Sequence, residues 1–243
     1  MFRSLKVPLI CLLAAAVFLF LWPSFAHTSD PKKFDFAVVR SQDAAKIVSL
    51  LAELPQTGFP KELMNKVEGV GVFPHVTKET LLFQQSVQGY GVICVRADKG
   101  WTLPAFYRFM GGGYTSTFVD EDQISVIVLF MDKEALAWFE KGRVGLTEQE
   151  KVMAGPVGAI SEAQKAELAS AHVIGYVYDN SKLKGSKFSS GSKSFLLNPD
   201  NNVNKPLYGL KGREVLAGKQ VNIPSIPQGI KAYQEALEKY YSR

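Results

Sequence analysis

Apolar residues recur at Ala44, Ile47, Val48, Leu51 and Leu54. That spacing predicts a helix with one buried face, and Ser41 stands where a side-chain cap would start it. The polar stretch before it, residues 27–40, is read as an extended N-terminal segment. Pro60 can open a second, short helix through "KELMNKV". The period then changes. "GVGVFPHV", "TLLFQQSVQ" and the alternating "YGVICVRA" read as strands, with Asp98–Gly100 as a tight turn and "WTLPAFYRFM" as the return strand. "YTSTFV" is a further strand candidate, and "DEDQ" turns the chain into "ISVIVLFM", apolar on both faces and hence fully buried. Asp132 caps a helix through "DKEALAWFEKG" that stops at Gly142, and Thr147 and Glu150 have capping-box spacing. "GPVG" at 155–158 reads as a turn or close approach, "VIGYVYD" as a strand and "KGSKFSSGSKSFLL" as a hairpin. "SEAQKAELASAHV" is helical by propensity. Near the C-terminus, Ile226, Ile230, Tyr233 and Leu237 form one stripe of an amphipathic helix that should dock on the sheet. The pattern predicts an α+β fold, a predominantly antiparallel curved sheet or barrel-like core with flanking N- and C-terminal helices.

The start of the chain has a different character. Arg3 and Lys6 precede the apolar run Val7–Trp22, and Ser24 and Ala26 occupy small-residue cleavage positions. Residues 1–26 therefore read as an export signal. A retained anchor is the alternative, although a spanning helix usually takes about 20 apolar residues. Cleavage would leave residues 41–243 as a single domain behind the 27–40 segment, exported to the periplasm or beyond, with membrane association left open. It would also leave Cys94 as the only cysteine, so no internal disulfide is expected. Its alternating apolar surroundings make Cys94 a core thiol.

Charge sharpens the picture. The chain has 28 Lys and Arg against 23 Asp and Glu, and cleavage would remove only Arg3 and Lys6. The remaining small excess is concentrated. Between Lys182 and Lys219 stand Lys182, Lys184, Lys187, Lys193, Lys205, Lys211, Arg213 and Lys219 against Asp200 and Glu214. A basic region in an otherwise acidic chain suggests an anionic partner.

Catalytic chemistry is poorly represented. The sequence has no nucleophile elbow and no phosphate-binding P-loop, and its Gly-x-Gly pairs lie in β-like contexts with no helix following. His27, His75 and His172 lack metal-ligand spacing, and one cysteine cannot build a zinc site. The adjacent carboxylates Asp120–Asp122 read as a solvated turn. The glycines Gly111–Gly113 lie between strand candidates with no helix start behind them, so they favour close packing or a bend over a phosphate cradle. No enzymatic activity, cofactor, metal or nucleic-acid partner is expected.

Six segments in order resemble the SYLF-domain family, also called the Ysc84 actin-binding family, in an exported bacterial form. They are "VFPHVTK", "GYGVICVR", "GWTLPAFYRFMGG", "VIVLFMD", "AGPVG" and "NKPLYG", with "VYDNSKLKGSKFSSGS" looser. The signature positions are Trp101, Pro104, Phe106, Gly111, Gly112, Gly155, Pro156 and Gly158. Resemblance spans about residues 40–218. It implies β structure for "SEAQKAELASAHV", against its propensity. It also implies binding rather than catalysis, with phosphoinositides and other anionic lipids as ligands and actin filaments in eukaryotic members. By that resemblance an N-terminal basic segment, here Lys32, Lys33, Arg40 and Lys46, contacts lipid. Asp30, Asp35, Asp43 and Glu53 neutralise it, so Lys182, Lys184, Lys187 and Lys193 are the stronger candidates. A protein-interaction or structural role in the cell envelope, with a protein partner, is the competing expectation.

Overall fold

A computed structural model describes residues 31–54, 58–81, 84–112, 124–140, 145–146, 152–179, 182–186, 195–221 and 226–242. The leader, "YTSTFV", the 120–123 turn, Gly142, the Thr147/Glu150 pair, Lys187 and Lys193 lie outside the described residues, as does His27.

The first described helix, α1 (Pro31–Ala52), begins ten residues before Ser41, so the 27–40 segment is helical from Pro31 onward. Ala37, Ala44, Val48 and Leu51 are buried on one stripe, and Ser41 is fully buried in the middle of it. Ser41 is therefore not a cap. Its hydroxyl donates to the Ile230 carbonyl at 2.6 Å and accepts from the Tyr233 N–H at 3.3 Å. A polar residue can sit on a buried helix face when its hydrogen bonds are met. Helix α2 (Lys61–Met64) starts behind Pro60 as expected.

Strand β1 (Gly69–Leu81) runs through Pro74 and His75 and ends on the first two residues of "TLLFQQSVQ", whose residues from Gln84 belong to the next strand rather than to one of their own. It is a central strand, paired with β2 (Gln84–Val95) on one side and β4 (Ile124–Phe130) on the other. Proline cannot donate to a ladder, and the register shifts there on both sides. His75 takes a left-handed φ of 56° at this irregularity. Across from it, a Cβ on Gly91 would lie 2.1 Å from the Val72 carbonyl oxygen. The bulged strand presses against backbone that only glycine leaves free.

The turn at Asp98–Gly100 closes with Ala97 N–H donating to Gly100 O, and Trp101 forms an isolated bridge to Arg96. The return strand β3 (Ala105–Gly112) begins only at Ala105. Helix α3 (Lys133–Glu140) is capped by Asp132, which accepts from the Ala135 N–H at 2.8 Å. The short strands β5 (Gly145–Leu146) and β6 (Val152–Ala154) follow. Helix α4 (Glu162–Leu168) then replaces the β structure that the family resemblance implies. Ser161 and Gln164 form a reciprocal capping box, so local helix signals prevail here.

Strands β7 (Val173–Asp179) and β8 (Lys182–Gly185) pair as neighbours. Strand β9 (Phe195–Pro199) pairs with β3 instead. Of the expected 184–197 hairpin, residues 187–194 lie outside the described residues, and its described ends join different strands. Among the described residues nine strands run in the order β5-β9-β3-β2-β1-β4-β7-β6, with β8 also on β7, and of these pairings only β6–β7 is parallel. The sheet is strongly curled into a half-barrel. Phe109 stacks on Phe195 at 4.6 Å and meets Phe73 at 5.4 Å in its core. Helices α5 (Asn201–Tyr208) and α6 (Gly212–Leu216) lie against β3. Helix α7 (Gln228–Tyr241) packs along α1, with Ile230, Tyr233 and Leu237 buried. Each such side chain contributes roughly 1.5–3 kcal/mol by leaving water. Among the described residues no helix is long and apolar enough to cross a membrane.

Candidate functional site

The signature positions lie inside the scaffold. Trp101 is buried, with the Arg96 guanidinium 4.3 Å above its ring. Arg96 donates to the carbonyls of Val67, Met64 and Tyr241, tying the end of α2 to the end of α7. The Pro104 carbonyl accepts from the Tyr208 hydroxyl at 2.8 Å. Phe106 is fully buried, and its N–H and C=O both pair with the Asn204 side-chain amide at 2.8 Å. Asn204, fully buried on α5, thus takes the place of a strand partner at the end of β3. A Cβ on Gly111 would lie 2.5 Å from the Phe195 ring, and Gly112 pairs with Ser86. At 155–158, a Cβ on Gly155 would lie 1.9 Å from Tyr176. Pro156 O accepts from the Tyr176 hydroxyl, and Gly158 donates to Gly58.

Buried groups with acid–base or nucleophilic potential are held out of reach of solvent. Burial pushes the Cys94 thiol well above its ordinary pKa, and does the same to the phenols of Tyr208 and Tyr233. A thiol that cannot ionise is a poor nucleophile. The histidines are also engaged: His172 Nδ1 lies 2.5 Å from Asp132 Oδ2, and His75 Nε2 lies 3.3 Å from Asp43 Oδ2.

The basic candidates separate into groups. On α1, Arg40 pairs with Asp200 at 3.1 Å and Lys46 with Asp43 at 2.8 Å. Burial acts to raise the Asp43 carboxyl, but its hydrogen bonds to Lys46 and His75 outweigh it, and the pKa is lowered. Lys32 and Lys33 belong to the first turn of α1. On β8, Lys182 and Lys184 are both exposed and alternate with buried Leu183, which puts the two lysines on one face. Lys184 pairs with Asp179 at 3.3 Å, and Lys182 has no carboxylate partner among the described residues. Further along, Lys205, Lys211, Arg213 and Lys219 are exposed on and beside α5 and α6. Of these, Lys219 pairs with Glu214 at 2.8 Å. That hydrogen bond, with one from the Lys211 backbone, lowers the Glu214 pKa to about 2.

Three strands, β2, β1 and β4, separate β3 beneath α5 and α6 from β7 beside β8. The basic run of the sequence therefore becomes two surfaces rather than one. The α6 surface gains residues that sequence reasoning missed. Lys133 of α3, Arg213 of α6 and Arg96 border a cleft of about 540 Å³ with Val95, Leu136 and Leu216 among its apolar walls and Glu68 and Asp98 at its edge. The signal available for Arg96 was a cation in an otherwise apolar strand. Nothing local marks Lys133. Among the described residues no group of His, Cys, Asp and Glu is arranged to hold a metal ion.

The family model described as Ysc84, Las17-binding protein actin regulator, matches residues 118–240. That match takes in Gly155, Pro156, Gly158 and the basic segment. It does not reach Trp101, Pro104, Phe106, Gly111 or Gly112. No curated protein and no solved structure matches the chain.

Proposed function

The chain belongs to the Ysc84 family of binding domains, known for actin and lipid binding, and on that premise we propose that it docks on anionic phospholipid head groups through its exposed basic residues. The observation that carries this reading is the exposure of the basic segment. Lys182, Lys184, Lys205, Lys211, Arg213 and Lys219 all face solvent, and only Lys184 and Lys219 are held by carboxylates among the described residues. A lysine or arginine near an anionic surface contributes about 1 kcal/mol, so the unpaired cations of whichever of the two surfaces meets the membrane support reversible attachment. Arg40 and Lys46, each paired with an aspartate, contribute less. Lys187 and Lys193 continue the segment that begins on β8. An export leader at 1–26 would place this module in the periplasm or outside the cell, against an envelope membrane.

Flotation with vesicles of phosphatidylcholine alone or with phosphatidylglycerol, at low and high salt, tests the reading. Recovery should require the anionic lipid and fall with salt. Equal recovery on neutral vesicles sinks it. Phosphoinositide-containing vesicles at matched charge test head-group preference. A second reading, attachment to a protein partner, is favoured by apolar side chains left exposed on and just beyond α1: Phe36, Val39, Leu50 and Leu54. The matched family's description names protein partners. A partner retained by the full chain after Lys182→Gln/Lys184→Gln, together with no vesicle binding, would favour it.

A further inference from the structure

We propose that the uncovered corner of the sheet made by β2, β3 and β9 is a binding site for a phosphate carried beside hydroxyl groups. This goes beyond the lysine surfaces and does not depend on them. The strand register lines up Tyr90, Arg108 and Asn198 as one cross-strand row. Two residues along each strand on the same face, Val92 and Phe106 are fully buried. At Tyr90 and Arg108 that cover ends. Tyr90 is 42% exposed, and a cleft of about 310 Å³ opens between Tyr90, Arg108, Asn198, Asp200, Asn201 and Asn202. Its volume lies at the small end of ligand sites.

The charge in this cleft is unbalanced. Arg108 donates through Nη2 to Gln88, and its Nε is buried with no partner among the described residues. It has no carboxylate partner among the described residues. The nearest acid lining the cleft, Asp200, is already held by Arg40 at 3.1 Å. The Tyr90 ring fixes both guanidinium groups, with Arg40 4.4 Å and Arg108 5.6 Å from its centroid. A buried, unpaired guanidinium N–H is costly unless an acceptor arrives, and guanidinium groups match the geometry of phosphate oxygens. Around it stand amides with capacity to spare. Asn201 Oδ1 accepts from the Gly212 N–H, which leaves its Nδ2 to donate. Asn198 Nδ2 makes only a 3.6 Å contact to the Met110 sulfur, and Asn202 is exposed. Carboxamides both donate to and accept from hydroxyls. An anion flanked by hydroxyls is the chemistry shared by a glycerophosphate lipid head group and a free sugar phosphate.

The test uses the full chain with glycerol 3-phosphate, glucose 6-phosphate and glucose in calorimetry, and phosphatidylglycerol or phosphatidylcholine vesicles in flotation. Arg108→Gln should weaken phosphate binding roughly tenfold or more, while Lys182→Gln/Lys184→Gln leaves binding of the soluble phosphates unchanged. Loss in both the soluble and the vesicle arms supports a general site, and loss only with vesicles assigns it to the lipid head group. If Arg108→Gln fails to fold, Asn202→Asp at the exposed mouth replaces it and should weaken the same ligands by repulsion. Undiminished binding in a folded Arg108→Gln protein, or no phosphate binding in any arm, overturns the proposal. The lysine reading fails separately. Vesicle binding lost only in the lysine variant, with soluble-phosphate binding undiminished in Arg108→Gln, sinks the cleft alone, and vesicle binding lost only in the arginine variant sinks the lysine surface alone.

Discussion

Replacing Asn204 with leucine isolates the contact that holds α5 to β3. The wild-type amide gives an acceptor to the Phe106 N–H and a donor to the Phe106 carbonyl, both at 2.8 Å and fully buried. Leucine approximates the volume and supplies neither. The carbonyl keeps the Asp200 N–H at 2.9 Å, so its loss is one hydrogen bond, about 0.5–1.5 kcal/mol. The Phe106 N–H is left unpaired in a dry site, which costs roughly 1–3 kcal/mol. Their sum predicts that Asn204→Leu destabilises the domain by about 1.5–4.5 kcal/mol, read as a lower urea midpoint at unchanged slope. Asn204→Asp offers a second reading of the same geometry. Its carboxylate accepts from the N–H but meets the carbonyl oxygen without a proton. A buried carboxyl of this kind has a raised folded pKa, and the protonated form can donate. Its stability deficit should therefore shrink as pH falls from 7 to 5. A leucine variant within about 0.5 kcal/mol of wild type, or an aspartate variant with no such pH trend, refutes the assignment of Asn204 as a strand surrogate.

Other consequences are more local. Gly155→Ala places a methyl where the Tyr176 ring stands, 1.9 Å away, and should cost about 1–3 kcal/mol through overpacking, measured as a lowered melting temperature. Glu214, lowered to about 2 by Lys219 and the Lys211 backbone, has a depressed folded pKa. Its contribution is complete above its ordinary pKa near 4.5 and is lost as pH falls towards 2. Carboxyl NMR should place its midpoint near 2, and Lys219→Gln should move it upward. Cys94 should resist a thiol reagent in the native protein at pH 8 and react once urea unfolds it, because burial keeps the thiol protonated. Prompt native-state labelling would contradict that burial.

Strand β2 was legible because the apolar residues of "YGVICVRA" alternate, β4 because its run is apolar on both faces, and the C-terminal helix because Ile230, Tyr233 and Leu237 keep helical spacing. Failures have specific causes. Ser41 looked like a cap because a serine before an apolar stripe is locally indistinguishable from a serine within one. Only its bonds to Ile230 and Tyr233, far along the chain, settle which it is. In α4 the capping box Ser161-x-x-Gln164 was present in the sequence, and the resemblance outweighed it. Strands β8 and β9 follow each other in sequence but belong to different ladders, which no local pattern encodes. The same limit hid the cationic clefts. Lys133 and Arg213 line one cleft from helices far apart in the chain, and Tyr90 and Arg108 meet through the β2–β3 register, whereas the basic run that stood out by composition is divided between two surfaces.

The bond from Ser41 to Ile230 also sets a timetable. Its two ends are 189 residues apart, which at roughly 5–20 residues per second is about 10–40 s of synthesis. Through that interval the buried stripe of α1 lacks its main neighbour, since α7 is made only at its end. The nascent chain must keep α1 shielded, or unformed, until α7 exists. Any message cut short before Ile230 would yield a protein whose α1 stripe lacks its α7 cover, a substrate for chaperones and proteases rather than a smaller working domain.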